Sequence, residues 1–292
     1  MANYWISAQE RRSLSGLLAP IRDLSDLDDQ LSLARTAAAM ASLAVPLKAF
    51  ADGTTDAWLV LRHGDTAVME GLLLGLSALL GECFAFQAER DGALVQDIRP
   101  GRADAGSRSS AGSSVELDLH TEAAFHPRRP DFLLLGCLRQ PGDAVPTMIA
   151  TAEAALARLT VADREQLRLP VFRFRPPATF VDATLSPPGP VLQGPDSAPL
   201  LRVNCNPGHT TASGAEAAEA LDRLAAALRA CATPVTLDAG DVLVLDNRRT
   251  AHGRPAFAAG FDSHDRWLKR VYVAENLWTG PGAPPHPTRV IT

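Results

Sequence analysis

Residues 115–139 read VELDLHTEAAFHPRRPDFLLLGCLR, and two β-strands are legible in them. Val115, Leu117 and Leu119 alternate with Glu116, Asp118 and His120, a period of two that predicts a half-buried strand. Asp131 to Leu138 is apolar almost throughout and reads as an interior strand. Side chains two apart on a strand leave the same face, so His120 and Glu122 are expected to point together. An imidazole and a carboxylate converging from one strand end make half of a metal site. A second histidine from a distant segment would complete a two-histidine, one-carboxylate triad, which holds Fe(II) by one face. A bare His-x-Glu is better explained by two polar residues on the wet face of a strand, because short motifs have many chance matches.

On either side of this stretch the chain alternates between helical and extended patterns. Residues 7–18 and 26–43 read as helices, the second capped by Ser25 and interrupted by Pro46. A short strand over 57–61 and an apolar helix over 66–80 follow. Strands over 83–87 and 93–98 flank Glu89-Arg90-Asp91-Gly92, whose Asp-Gly is a hairpin signal. Residues 101–114 are rich in Gly, Ser and Ala and read as a loop leading into the His120 strand, either a lid or a plain connector. Thr147 opens a helical pattern reaching Leu159, and the Pro-rich segment 175–200 is irregular. A strand over 200–205, a helix over 214–230 with a Ser213/Glu216 capping box, and strands over 236–245 and 266–273 complete the pattern. Many short strands with helices towards the N-terminus, and no linker or repeat, predict one domain over 1–292 that is mainly β, a sandwich or barrel with peripheral helices.

Composition narrows the function. A formal charge of -5 and a pI near 5.8 argue against a general polyanion binder, so no nucleic-acid partner is expected. The four cysteines, Cys83, Cys137, Cys205 and Cys231, show no C-x-x-C spacing, which fits reduced thiols in a cytoplasmic protein. Neither a signal peptide nor a bilayer-length apolar run is present, so no membrane partner is expected.

The second histidine is available at His252. There the segments LDLHTEAAFHPRRPDFLLLGCLR, Thr147, LDNRRTAHGRPAF and RWLKRVYV together resemble the clavaminate synthase-like branch of the TauD/TfdA superfamily of Fe(II)/2-oxoglutarate-dependent oxygenases, in particular its amino-acid β-hydroxylases. The resemblance is dense over 115–148 and 240–273. It implies a double-stranded β-helix, or jelly-roll, barrel with N-terminal helices. It implies Fe(II) as cofactor, held by His120, Glu122 and His252, and 2-oxoglutarate and O2 as co-substrates. Arg266 matches the arginine that grips the far carboxylate of 2-oxoglutarate, Thr147 a threonine that assists it, and Arg270 the residue that holds a substrate carboxylate. A guanidinium fork suits these roles because it donates two parallel, charge-assisted hydrogen bonds. Retention of Glu122 sets the chain apart from related halogenases, which lack the carboxylate ligand.

The implied activity is hydroxylation of an unactivated C–H bond in a small amino acid or derivative, in specialised metabolism such as antibiotic biosynthesis. Gln87 and Glu89 are candidates for the substrate amine. Asn204 and Asn206 stand where arginine-hydroxylating relatives carry acids, which points to a neutral side chain, since an amide compensates a buried cation poorly. The same chemistry on a carrier-bound or peptide substrate, and its diversion to desaturation or cyclisation, stay open, as does oligomeric state. A non-catalytic β-barrel binding a metal or small acid is the alternative of another class, and Arg266 with Thr147 argues against it.

Overall fold

The apolar run at Phe132–Arg139 needs cover on both faces, and the layers of the molecule supply it. The computed structural model describes residues 27–52, 56–178, 180, 184–277 and 289–291, with 27–34 as helical backbone. In chain order the strands are β1 (Trp58–Arg62), β2 (Glu82–Phe86), β3 (Gln96–Ile98), β4 (Leu117–His120), β5 (Phe132–Arg139), β6 (Thr147–Thr151), β7 (Phe172–Phe174), β8 (Leu192–Gln193), β9 (Leu200–Leu201), β10 (Thr210–Ala212), β11 (Thr233–Val235), β12 (Asp241–Asp246), β13 (Thr250–Arg254), β14 (Trp267–Ala274) and β15 (Val290–Ile291). The helices are α1 (Leu27–Ala51), α2 (Met69–Leu80), α3 (Ala152–Leu156), α4 (Val161–Arg168) and α5 (Ala215–Cys231). The larger sheet has the order β1-β12-β5-β14-β2-β15, with β3 also on β14, and the smaller has the order β11-β6-β13-β4.

Alternation along the central strands divides the side chains between two cores. Leu133, Leu135, Leu243, Leu245, Leu268 and Tyr272 pack with Ile149 and Val235 of the smaller sheet, so the two sheets face each other. Leu134, Val242, Val244, Val271 and Val273 pack instead with α1 and α2. A third core joins Leu119, Ala150 and Ala251 of the smaller sheet to α3, α4 and α5. The fold is thus mainly β with helices outside, and the two sheets are separate hydrogen-bonded ladders among the described residues. Within those residues no helix is long and apolar enough to cross a membrane.

Several local expectations are corrected. Pro46 does not interrupt the helix: α1 continues to Ala51 with Pro46 inside it. Leu43, Leu47 and Phe50 are buried around it, and about 1.5–3 kcal/mol for each such side chain outweighs the roughly 3 kcal/mol that an interior proline costs. Thr147 does not open a helix. Residues 147–151 are a strand pairing with β11 and β13, and the helix begins after Thr151, whose hydroxyl caps it by accepting from the Ala154 N–H. The Ser213/Glu216 capping box does not form, since Gly214 is the N-cap of α5 without a side-chain bond. Leu200–Cys205 supplies only a two-residue strand and an isolated bridge between Asn204 and His120. The helix expected over 7–18 lies outside the described residues.

The Asp-Gly turn is also not a hairpin. β2 and β3 pair in succession with the same edge of β14, at Tyr272–Ala274 and at Leu268–Arg270. Between them the chain makes an excursion through Arg90, Asp91 and Gly92, all with positive φ (48, 56 and 76°). That excursion carries Glu89 to the cavity between the sheets.

Candidate metal centre

His120 ends β4 and His252 sits opposite it on β13, the two being register partners in the ladder. Their approach depends on Gly253, where a Cβ would lie 2.5 Å from the Leu117 carbonyl oxygen. Glu122 follows His120 by two residues, and its backbone is held from both sides by buried Asn247. The Asn247 Oδ1 accepts from the Glu122 N–H at 2.6 Å, while its Nδ2 donates to the carbonyls of Glu122 (3.2 Å) and Pro130 (2.8 Å). The result is a cluster in which one ligand atom from each of His120, Glu122 and His252 lies within 4.8 Å of the others.

The protonation of this cluster suits a cation. The His120 Nδ1 lies 2.9 Å from the Asp118 carbonyl, and donation to that oxygen leaves Nε2 with its lone pair for a metal. Burial first, then the neighbouring His120, pushes the His252 pKa down to about 3, so its ring is neutral at physiological pH. Burial opposes ionisation of Glu122, but the Arg270 guanidinium beside it holds its carboxyl below the usual glutamate range. Two imidazoles and one carboxylate are a donor set that fits Fe(II), with the Arg270 guanidinium 3.4 Å from the same carboxylate.

Arg266, Leu268, Arg270 and Tyr272 fall at alternate positions leading along β14, and the three polar ones serve this region. Arg266 is 7% exposed. Its Nη2 donates to the Thr147 hydroxyl at 3.0 Å, its Nε has no partner, and no carboxylate pairs with it among the described residues. Burial lowers its pKa to about 10. A buried guanidinium left without a counter-ion is a place prepared for an anion, and 2-oxoglutarate supplies a carboxylate of the required kind.

Arg270 is not the exposed strand arginine that its sequence context allowed. It is buried, its Nε donates to the Gln96 Oε1 at 3.1 Å, and it lies 3.4 Å from carboxylate oxygens of both Glu122 and Glu89. Burial works against its charge, yet Tyr272, Glu122 and Glu89 raise its pKa above the ordinary guanidinium value. Of the two amine candidates, Glu89 lines the cavity, whereas Gln87 is exposed and absent from its lining, a correction to the sequence reading. β2 ends at Phe86, and the excursion after it turns Glu89 inward and leaves Gln87 outside. Asn204 and Asn206 line the cavity, as do Thr147, Arg266 and Arg270. The space measures about 730 Å³, and residues 107–111 form part of its wall. The 101–114 segment is folded back on itself, with the Gly101 N–H bonded to the Ala111 carbonyl and those of Ser113 and Ser114 to the Ala105 carbonyl.

Three residues of this site were missed in the sequence. The Tyr272 hydroxyl lies 2.9 Å from Glu89 and 3.3 Å from Glu122, joining the metal cluster to the amine candidate. Its place two residues after Arg270 was a usable signal. Gln96 buttresses Arg270, and Asn247 belongs to the LDNRRTAHGR segment without having been assigned a role.

Comparison with known proteins accords with this geometry. Residues 67–272 match the family model described as taurine catabolism dioxygenase TauD, TfdA family. The L-asparagine oxygenase of Streptomyces coelicolor is 38% identical over 208 residues, covering 70% of this chain and 62% of that protein. The L-lysine 3-hydroxylase of Catenulispora acidiphila is 36% identical over 207 residues, covering 67% of this chain and 57% of that protein. The matched region is therefore less than two thirds of either relative. Among solved structures, an asparagine oxygenase in complex with Fe(II), 2S,3S-3-hydroxyasparagine and succinate superposes with a TM-score of 0.82 at 29% identity, covering 98% of both chains. The non-heme iron oxygenase OrfP in complex with Fe and alpha-ketoglutaric acid gives 0.77 at 31% identity, covering 98% of this chain and 97% of the other.

Proposed function

The chain belongs to the TauD/TfdA dioxygenase family, and from that premise we propose that it is an Fe(II)- and 2-oxoglutarate-dependent oxygenase that hydroxylates a small amino acid. The observation that carries this reading is the convergence of His120, Glu122 and His252 beside an unpaired, buried Arg266. A site that merely stored a metal would have no use for a guanidinium waiting next to it. In this reading the three ligands hold iron by one face, and Arg266 with Thr147 takes the far carboxylate of 2-oxoglutarate. When bound, the iron and 2-oxoglutarate couple reduction of O2 to oxidative decarboxylation, giving succinate and CO2, and insert oxygen into a substrate C–H bond.

The chain's own residues bind and orient. The Arg270–Glu89 pair is a fixed dipole matching an amino acid zwitterion, with the α-carboxylate at the guanidinium and the ammonium at the carboxylate. Ala123, Phe125, Leu135 and Phe180 give the cavity apolar walls that keep water from the reacting carbon. The two facing sheets are read as the halves of a distorted jelly roll within one domain. Free Cys83, Cys137, Cys205 and Cys231 accord with a cytoplasmic setting. Mixing the protein with Fe(II), ascorbate, 2-oxoglutarate and single amino acids tests the proposal. Substrate-dependent succinate and a product heavier by one oxygen are expected. Failure to bind 2-oxoglutarate in metal-loaded protein would overturn it.

A further inference from the structure

One wall of the same cavity has no part in the reading above. Asn204, Asn206, His209, Arg175 and Arg108 all line it, and their hydrogen bonds decide what they can offer a ligand. The Asn206 Oδ1 accepts from the Asp118 N–H at 3.1 Å, and its Nδ2 donates to the Asn204 Oδ1 at 2.8 Å, so both ends of this buried amide are committed. The Asn204 Oδ1 also accepts from the backbone N–H of Asn206 at 3.0 Å. A backbone N–H can only donate, which settles which end of the Asn204 amide is oxygen. That oxygen already holds two bonds. The end left for a ligand is the Nδ2 group, a donor without a partner among the described residues.

The neighbouring charges have the same sense. Arg108, on the 101–114 segment, has no hydrogen-bond or ion-pair partner among the described residues, and the Arg175 guanidinium bonds only through its Nε, to the Gly208 carbonyl at 3.3 Å, while the Arg175 carbonyl accepts from the His209 Nδ1 at 3.3 Å. Both are exposed at the cavity rim. Their field reaches His209, whose pKa is lowered by burial, raised in part by its hydrogen bond to the Arg175 carbonyl, and lowered further by His120, Arg175 and Arg108. Of the acids lining the cavity, Glu89 and Glu122 are engaged with Arg270. Asp91 and Asp104 are exposed, Asp91 on the 89–92 excursion and Asp104 on the same 101–114 segment as Arg108.

We propose that this wall, which offers donors and positive charge, receives the side-chain carboxylate of an acidic amino acid, aspartate or glutamate. The inference rests on the proposed function, with Arg270 and Glu89 taking the α-groups. A carboxylate is acceptor-only and suits the Asn204 Nδ2 donor and the Arg175 and Arg108 guanidinium groups. A side-chain amide brings no charge to meet the Arg175 and Arg108 guanidinium groups. An ammonium or guanidinium brings charge of the wrong sign beside two arginines. An acidic side chain departs from the neutral one expected from Asn204 and Asn206 alone, because the orientation of Asn204 and the cations around it are not visible in those two letters.

The test is calorimetric titration of L-aspartate, L-glutamate, L-asparagine, L-glutamine and L-lysine into full-length protein loaded with Co(II) and 2-oxoglutarate, alongside turnover with Fe(II). One of the acids should bind about tenfold or more tighter than its amide, the scale that separates a charge-assisted from a neutral hydrogen bond. Asn204→Asp and Arg175→Glu should each weaken that acid by about tenfold, and Arg175→Glu, remote from the bridge between Asn204 and His120, should leave 2-oxoglutarate affinity within about twofold. An amide or lysine binding more tightly than both acids overturns the inference, as does absence of amino-acid binding or indifference to both variants. Such results beside intact 2-oxoglutarate binding condemn this wall alone, whereas loss of 2-oxoglutarate binding in the wild type condemns the oxygenase reading itself.

Discussion

Replacing Arg266 with methionine should stabilise the ligand-free protein and disable it in the same stroke. The guanidinium is buried, donates one bond to Thr147 and has an unpartnered Nε. Burial moves its pKa from 12.5 to about 10, and at about 1.4 kcal/mol per unit the charged form costs the native state about 3 kcal/mol at neutral pH. Methionine fills similar volume without the charge. Losing the Thr147 bond offsets about 1 kcal/mol, which leaves a net gain of about 1–3 kcal/mol. For a chain of this size that raises Tm by about 2–4 °C per kcal/mol. The same substitution removes the partner of the far carboxylate of 2-oxoglutarate, and truncating one side of a buried charge pair costs about 2–5 kcal/mol. Affinity should fall roughly 30-fold to several-thousand-fold. Thermal melts of Co(II)-loaded wild type and Arg266→Met, with and without 2-oxoglutarate, read both effects. Wild type should gain about 2.7 kcal/mol at a ligand concentration of 100 Kd, and the variant should start higher and gain almost nothing. A variant that melts lower without ligand, or that keeps the full ligand shift, would refute the view of Arg266 as an unpaired charge held ready for an anion.

Other substitutions probe how the site is held together. Gly253→Ala should force β13 away from β4, because the new Cβ meets the Leu117 carbonyl oxygen at 2.5 Å; Co(II) titration should show metal affinity down about tenfold or more while the circular dichroism stays native-like. Asn247→Ala strips both backbone bonds from Glu122 and one from Pro130, and denaturant unfolding should show a loss of about 2–4 kcal/mol. Tyr272→Phe removes the hydroxyl between Glu89 and Glu122. It should weaken Co(II) binding by about 1–2 kcal/mol, and unchanged affinity would show that the phenol does not help position the metal ligand.

The fold was legible where one strand's own pattern decides its environment. β5 was readable because an apolar run of that length must be covered on both faces, and α2 because its residues are apolar around most of the helix. Failures came where a partner decides. Pro46 looks like a stop until the burial of Leu47 and Phe50 is included. Thr147 looks like a helix start until β11 and β13 claim residues 147–151 for a sheet. The Asp-Gly at 91–92 supplied the positive φ it promised, but whether β2 and β3 pair with each other depends on β14, which is long enough to take both along one edge.

The site divides on the same principle. His120 and Glu122 are neighbours in the chain, so spacing alone suggested that they point together, and His252 entered through a resemblance that no local pattern could replace. Arg270 shows how little a residue's name says about its surroundings: a lone arginine on a strand is usually solvated, yet here two carboxylates, a glutamine and a phenol surround it. Asn204 is the sharpest case. In the sequence an asparagine is both donor and acceptor, which reads as neutrality towards a ligand. In the fold its oxygen is consumed by the backbone and side chain of Asn206, and Asn206 is held in turn by the backbone of β4. The strand that delivers His120 to the metal therefore also sets the polarity of the wall facing the substrate. A change in its register would alter the metal centre and the specificity together.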